Sequence, residues 1–307
     1  ASGNFWDAFT PVVAVLERAG VKRVTGDLVA DATWFRALPN GAGWTADDLN
    51  DDYGAEISAI SLEQNYAEAT ATPGAAAGAP VVLTLVQPHT GLALENRLTT
   101  FAAQRPKDLT VRRVIGESVA YVSGGVPTGI KAPLVEITVP RPSAWYAAAL
   151  KAALAQRGIV VEGSTRGVRW PEVSAARPTF VKLGEAVSPP LRDLVSGFMK
   201  PSQNLETDLI FEHLGEKFRP ANAPARQTSE DAGDVGRARV LHRGHRRVSP
   251  PLDHHGERIG VSIGVGPLDE PVLEPALTQG RDDGGQVLQK AQFVGQPSET
   301  GRAPCRF

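Results

Sequence analysis

The apolar positions of this chain change period along its length, and the changes mark out its elements. Thr10 and Pro11 read as an N-cap and a first helical residue. Val12, Val13 and Leu16 then share one face, and Gly20 stops the helix. Residues 21–31 read as a strand, with Gly26 as a kink or bulge. Residues 38–52 are loop-like and carry an acidic cluster at Asp47, Asp48, Asp51 and Asp52. Residues 56–62 alternate as a strand, 74–80 form a small-residue turn, and 81–86 read as a buried strand. Residues 111–115, 119–122 and 134–139 continue an antiparallel pattern. Ser143 caps a helix with Tyr146, Leu150, Ala153 and Leu154 on one face; Gly158 ends it and a strand starts at 159–161.

Two of these units look alike: LERAGV, through Gly20, and LAQRGI, through Gly158. Two helix–glycine–strand units around a β-rich middle suggest one domain with another nested inside it. The alternative is simple convergence on a common helix stop.

The strongest helical signal lies at 188–215. Ser188 reads as an N-cap with Pro189 after it. Leu191, Leu194, Val195, Phe198 and Met199 then fall at i, i+3, i+4, i+7 and i+8. Pro201 breaks that helix. A second begins near Ser202, with Leu205, Leu209 and Ile210 as its stripe and Gly215 as its stop. Ser202-Gln203-Asn204 is thereby expected in a tight connection between two packed helices, a place where polar groups face a cleft.

Composition changes this picture at one point. A length of 307 residues suggests about two domains. The balance of 32 basic and 34 acidic residues gives a net charge of -2 and excludes a global basic field for nucleic acid. The average hides a seam after Phe218. Residues 1–218 hold 17 of the 19 aromatics, while 219–307 hold Phe293 and Phe307 alone. The later stretch has 1 Lys against 11 Arg, with 12 Gly and 9 Pro. Such a composition offers little surface to offset chain entropy, so an irregular tail is expected, apart from a short strand around Ile259–Val265. A single cysteine, Cys305, excludes internal disulfides and cysteine-rich zinc sites. No apolar run is long enough to span a bilayer.

Ser-x-Asn between two helices is one of three elements of the penicillin-recognising serine acyl-enzymes. The others are Ser-x-x-Lys, which supplies nucleophile and base, and Lys-Thr-Gly on a strand beside the cleft. The triplet alone is weak, and a helix N-cap serine is its bland alternative. Its surroundings are more specific. GDLVADATWF from Gly26, GAGWTADDL from Gly41, YGAEISAISLEQN from Tyr53 and SPPLRDLVSGFMKPSQNLETDLIFEHLG from Ser188 stand in order. With these blocks the chain resembles the D-alanyl-D-alanine carboxypeptidases/endopeptidases of the penicillin-binding protein 4 type, over roughly residues 10–218.

The resemblance implies an α+β fold: a partial penicillin-binding transpeptidase-like (beta-lactamase-like) domain with a large β-rich nested insertion and an irregular C-terminal tail. Residues 1–184 would be inserted, with a subdomain nested at about 65–140. Residues 185–218 would carry Ser-x-Asn, and 219–307 would be the tail. The resemblance implies that Ser202 relays a proton to the leaving amine and Asn204 holds the substrate's backbone. It implies an acyl-enzyme on D-Ala-D-Ala or cross-link peptides. It also implies that Asp48, or its neighbour Asp47, pairs with a diaminopimelate ammonium; the alternative is a surface acidic loop. Lys200 would add positive field to the cleft, against the alternative of a solvated lysine at a helix end. Peptidoglycan stem peptides, and beta-lactams in the complete protein, are the expected partners. No nucleic acid, cofactor, metal or transmembrane segment is expected. The expected location is periplasmic or otherwise extracytoplasmic.

Two of the three elements are missing. The sequence contains no Ser-x-x-Lys and no Lys-Thr-Gly; Ser196 and Lys200 are one residue too far apart, and Glu299-Thr300-Gly301 lacks the lysine. The expectation is an enzyme by family that is inactive as written, with a non-catalytic peptidoglycan-binding or scaffolding remnant as the alternative. The seam further suggests that 219–307 comes from a shifted reading frame or a mis-joined gene. The absent Ser-x-x-Lys and the lack of an initiator Met agree with a start placed too late or a truncated sequence. His242, His245, His254 and His255 lack a helical or hairpin frame, so a metal site there is not expected.

Overall fold

The computed structural model describes residues 4–41, 44–172, 181–224, 226–233, 259–265 and 287–294. The first helix, α1 (Thr10–Arg18), follows a short 3-10 turn at Phe5–Phe9 capped by Asn4. Phe9, not Thr10, is its N-cap, so Thr10 and Pro11 are its first two residues. The strands β1 (Arg23–Val24) and β2 (Asp27–Asp31) come next. After the middle of the chain come α2 (Pro142–Gln156), β9 (Val160–Val161) and β10 (Thr165–Val168). Ser143 lies inside α2, whose N-cap is Arg141.

The two similar units are paired in space. β1 runs parallel to β9, and β2 runs parallel to β10. Their helix stops are made identically. The Val21 amide donates to Leu16 and the Gly20 amide to Glu17; the Ile159 amide donates to Leu154 and the Gly158 amide to Ala155. Gly20 and Gly158 sit at φ 73° and 74°, a left-handed turn that a β-carbon disfavours. Each stop turns the chain into a strand whose partner is the other unit's strand. α1 and α2 cover one core with Phe9, Leu16, Leu28, Trp145, Leu150, Leu154 and Ile159.

The segment between the units departs in part from expectation. Residues 56–62 are not a strand. Their backbone is satisfied by loop and side-chain partners: the Ile57 amide donates to the Pro39 carbonyl at 2.7 Å and the Leu62 amide to Asn65 Oδ1 at 3.0 Å. Burial on consecutive residues, rather than alternation, is the cause. Next, β3 (Tyr66–Thr72), β4 (Val82–Leu85) and β8 (Leu134–Thr138) form an antiparallel three-stranded sheet in the order β4-β3-β8. A second sheet holds β5 (Ala93–Phe101), β6 (Asp108–Arg113) and β7 (Val119–Pro127) in the order β5-β7-β6. The β5 strand, which was not expected, carries mostly exposed, charged or polar residues and pairs with β7 in parallel. The β6–β7 hairpin inserts its return strand between them. Ala69, Ala71, Ala120, Val122 and Ile137 form a second core between these sheets.

β11 (Val181–Val187) leads to α3 (Leu191–Met199) and α4 (Asn204–Phe218). Pro190 is the N-cap of α3, so Ser188 lies outside the helix. Gly215 does not end α4. A β-carbon there would overlap the Ser229 carbonyl, so glycine is needed for close approach rather than as a stop. Residues 226–233 lie back on α4, with Ser229 and Ala232 buried. The composition seam at Phe218 is therefore not a break in packing. Nor is the tail irregular throughout. β12 (Ile259–Val265) coincides with the expected strand, and β13 (Val287–Val294) was unexpected. Both join a five-stranded sheet ordered β10-β2-β13-β12-β11.

Candidate active-site region

The Ser-x-Asn triplet occupies the turn between α3 and α4. Pro201 cannot continue the first helix, and the Gln203 amide donates back to the Phe198 carbonyl at 3.1 Å. Gln203 caps α4 and Asn204 is its first residue. Ser202 is exposed and holds φ 61°, a left-handed conformation that costs a non-glycine residue of order 1–3 kcal/mol. Leu205, one residue after Asn204, is 3% exposed and joins the main core, so the helix that Asn204 opens is anchored from its first turn. Lys200 is exposed at the C-cap of α3.

Beside this turn lies a cleft of about 1210 Å³ including its open mouth. Pro201 and Gln203 line it, next to Ser202 and Asn204 in sequence. Gln64, Phe198, Leu209 and His213 form other parts of its wall. His213 is half-buried, its ring set edge-on to Phe35 with centroids 4.7 Å apart. Burial pulls its pKa down to about 4, so the imidazole is neutral near pH 7. Glu212, 3% exposed, is pushed the other way by burial, to about 7. Burial also raises Glu206 and Asp208 above the usual carboxylate range.

Asp48 lies in the acidic loop, half-buried, and not in the wall of the cleft. Its carboxylate accepts from the Thr45 amide and hydroxyl, both at 2.7 Å, and from the Tyr53 hydroxyl at 3.1 Å. The Thr45 hydrogen bonds hold it ionised below its ordinary pKa. Tyr53 also donates to Asp51 at 2.9 Å, and that bond above all pushes its own pKa up to about 12. Trp44 lies over Tyr53 at 5.5 Å and hydrogen-bonds to Asp208 of α4. The loop thus packs against the helix that begins at Asn204. Its far side is fixed by the second sheet: Asn50 Oδ1 accepts from the Arg113 amide at 2.6 Å, and Asp47 pairs with Arg112 at 3.0 Å. Asp47 meets Arg112 in the open, whereas Asp48 is held by Thr45 and Tyr53.

Sequence reasoning missed Trp44, Tyr53, Gln64 and His213. All four stand in quoted blocks, and His213 also falls four residues after Leu209 on the apolar stripe, which was the available signal. Among the described residues no group of His, Cys, Asp or Glu could hold a metal ion. The four tail histidines and Glu299-Thr300-Gly301 lie outside the described residues. No described helix is long and apolar enough to cross a membrane.

A model of the D-Ala-D-Ala carboxypeptidase 3 (S13) family matches residues 6–233. The chain belongs to that family. The match continues past Phe218 to the end of the segment packed on α4, so the resemblance extends further than the composition seam suggested. A D-alanyl-D-alanine carboxypeptidase of Actinomadura sp. (strain R39) is 29% identical over 232 residues, covering 73% of this chain and 41% of the relative. The D-alanyl-D-alanine carboxypeptidase DacB of Haemophilus influenzae is 25% identical over 218 residues, covering 69% and 43%. The crystal structure of penicillin binding protein 4 from H. influenzae matches the fold with a TM-score of 0.61 at 22% identity, covering 78% of this chain and 50% of that one. The same protein in complex with a beta-lactam matches with a TM-score of 0.54. The chain spans less than half the length of the curated relatives it matches.

Proposed function

We propose that the complete protein is a serine-type D-Ala-D-Ala carboxypeptidase/endopeptidase, and that this chain supplies the Ser-x-Asn side of its cleft. The observation that carries the reading is the Ser202–Asn204 turn, held in a strained conformation between two helices, inside a stretch that the S13 family model matches. In that role the Ser202 hydroxyl passes a proton to the departing amine while an acyl-enzyme forms on a serine that this chain does not contain. The Asn204 amide donates to one peptide group of the substrate and accepts from another. Lys200, at the end of α3, adds positive field beside the triplet.

Asp48 completes the substrate reading. An ionised carboxylate, with Asp51 nearby and the Tyr53 and Trp44 rings beside it, suits the ammonium of a diaminopimelate side chain. The substrate class is therefore a peptidoglycan stem peptide, met outside the cytoplasmic membrane. Beta-lactams, which the H. influenzae relative binds, fit the same cleft in the complete protein. Because Ser-x-x-Lys and Lys-Thr-Gly are absent, the chain as it stands is a binding module rather than a catalyst.

A fluorescent penicillin and a diaminopimelate-containing stem pentapeptide test this together. The expected result is no covalent label, with reversible peptide binding that weakens about tenfold in Asp48→Asn. Covalent labelling would overturn the binding-module statement, and absence of peptide binding would overturn the substrate reading.

A further inference from the structure

Three consecutive non-glycine residues, Glu63, Gln64 and Asn65, hold left-handed backbone at φ 48°, 54° and 60°. Such residues visit this region singly, and each carries an energetic cost. The turn persists because Asn65, fully buried, fixes it from inside. Its amide nitrogen donates to the Glu56 carbonyl at 2.8 Å and the Ser61 hydroxyl at 3.1 Å, while its oxygen accepts from the Leu62 amide at 3.0 Å. The Val139 amide closes the turn on the Asn65 carbonyl at 2.9 Å. Nothing in this network uses Gln64. The product of the strain is the place where Gln64 is held: on the wall of the cleft, which Gln203 of the Ser-x-Asn turn also lines.

The cleft wall has a second peculiarity. Gln64 Oε1 and His213 Nδ1 are both enclosed and without a hydrogen-bond partner. Buried polar atoms are nearly always paired, and an unpaired one costs about 1–3 kcal/mol. Two orphans in one cleft mark a place prepared for a polar guest. A neutral imidazole offers one donor or one acceptor at Nδ1, and a primary amide offers both. Together they match a peptide group, which has one N–H and one C=O.

We propose that Gln64 and His213 form an amide-binding subsite, with Gln64 as a positioning residue for a backbone peptide group of the substrate. This rests on the stem-peptide reading above and adds a contact to it. The left-handed turn is then a presentation device, strained in the free protein and used when the substrate binds.

The test is stem-pentapeptide titration of the full chain against Gln64→Gly and Gln64→Leu, with thermal melts of each. Glycine relieves the left-handed strain, so Gln64→Gly is expected to raise the melting temperature by about 2–4 °C while weakening peptide binding about tenfold. Gln64→Leu keeps the bulk and should weaken binding to the same extent. A purely structural Gln64 predicts unchanged affinity in Gln64→Gly, and that result would overturn the subsite while leaving the substrate reading intact. If the unsubstituted chain fails to bind the peptide, the substrate reading falls first and the subsite with it.

Discussion

α2 is apolar nearly all round and α3 along one stripe, and the chain treats them oppositely. α2 is covered by its own neighbours. Phe9 lies 5.2 Å from Tyr146, Phe5 stacks on Trp145 at 6.1 Å, and the Trp145 indole donates to the Pro88 carbonyl at 3.0 Å. Its Leu150 and Leu154 are fully buried. α3 has the cleaner apolar stripe, yet of its residues only Phe198 is buried, and Met199 is 65% exposed. Periodicity says that a helix has an apolar face; it does not say that the same chain covers it. The largest expected effect follows from this contrast. Leu150→Ala should cost about 3–5 kcal/mol, through lost transfer and the cavity left behind. Leu191→Ala, on the half-open face of α3, should cost under about 1 kcal/mol. Denaturant melts measure both, and equal losses would break the comparison.

What the sequence made legible follows the same division. The two helix stops were readable because a Schellman turn is local: a glycine three residues after the carbonyl it closes specifies it. The pairing of β1 with β9 was only suggested by likeness, since more than a hundred residues separate the strands. Ser202 and Asn204 were legible as a motif, but their left-handed turn and the cleft beside them were not. Residues 56–62 misled because their alternation is incidental to burial on all sides. Gln64 was hidden for another reason: its position is produced by the buried amide of its neighbour Asn65, a tertiary effect with no period.

The other side of α4 sharpens the contrast, because there the chain buries charge. Asp208, Glu212 and Glu216 fall one turn apart, facing the acidic loop and residues 226–233. Glu216 is paired with Arg219 at 2.5 Å, both nearly fully buried, and the Ser229 hydroxyl donates to Glu216. Glu212 Oε2 has no partner. Since its folded pKa of about 7 lies above the unfolded value near 4.5, its proton favours the fold. That stability is complete below about pH 4.5 and is lost as pH rises through 7, by up to about 3 kcal/mol. His213 has the opposite sign. Its folded pKa of about 4 lies below the unfolded 6.5, so its contribution is complete above 6.5 and lost as pH falls through 4. Stability measured against pH should therefore peak on the acid side of neutrality. Glu212→Gln should flatten the fall between pH 5 and 8 and leave the acid limb unchanged. A Glu212→Gln profile parallel to the parent's would sink this assignment.

Gly215 gives the smallest effect and the clearest conflict between local and tertiary rules. By helix propensity alone, Gly215→Ala in the interior of α4 should stabilise by up to about 1 kcal/mol. The structure reverses the sign. The added methyl would meet the Ser229 carbonyl, with the Gly233 amide close behind, and both are backbone atoms that no side-chain rotation can move. Residues 226–233 must then lift. The Arg36 amide would lose the Ser229 hydroxyl that it donates to at 2.8 Å, and Glu216 would lose the same hydroxyl as a donor. The expected net loss is about 1–2 kcal/mol. Limited proteolysis gives the local readout: cleavage within 226–233 should quicken in Gly215→Ala while the core around Leu150 stays protected. A gain in stability with unchanged cleavage would mean that the segment does not rest on α4, and that this side of the helix pair is as open as α3.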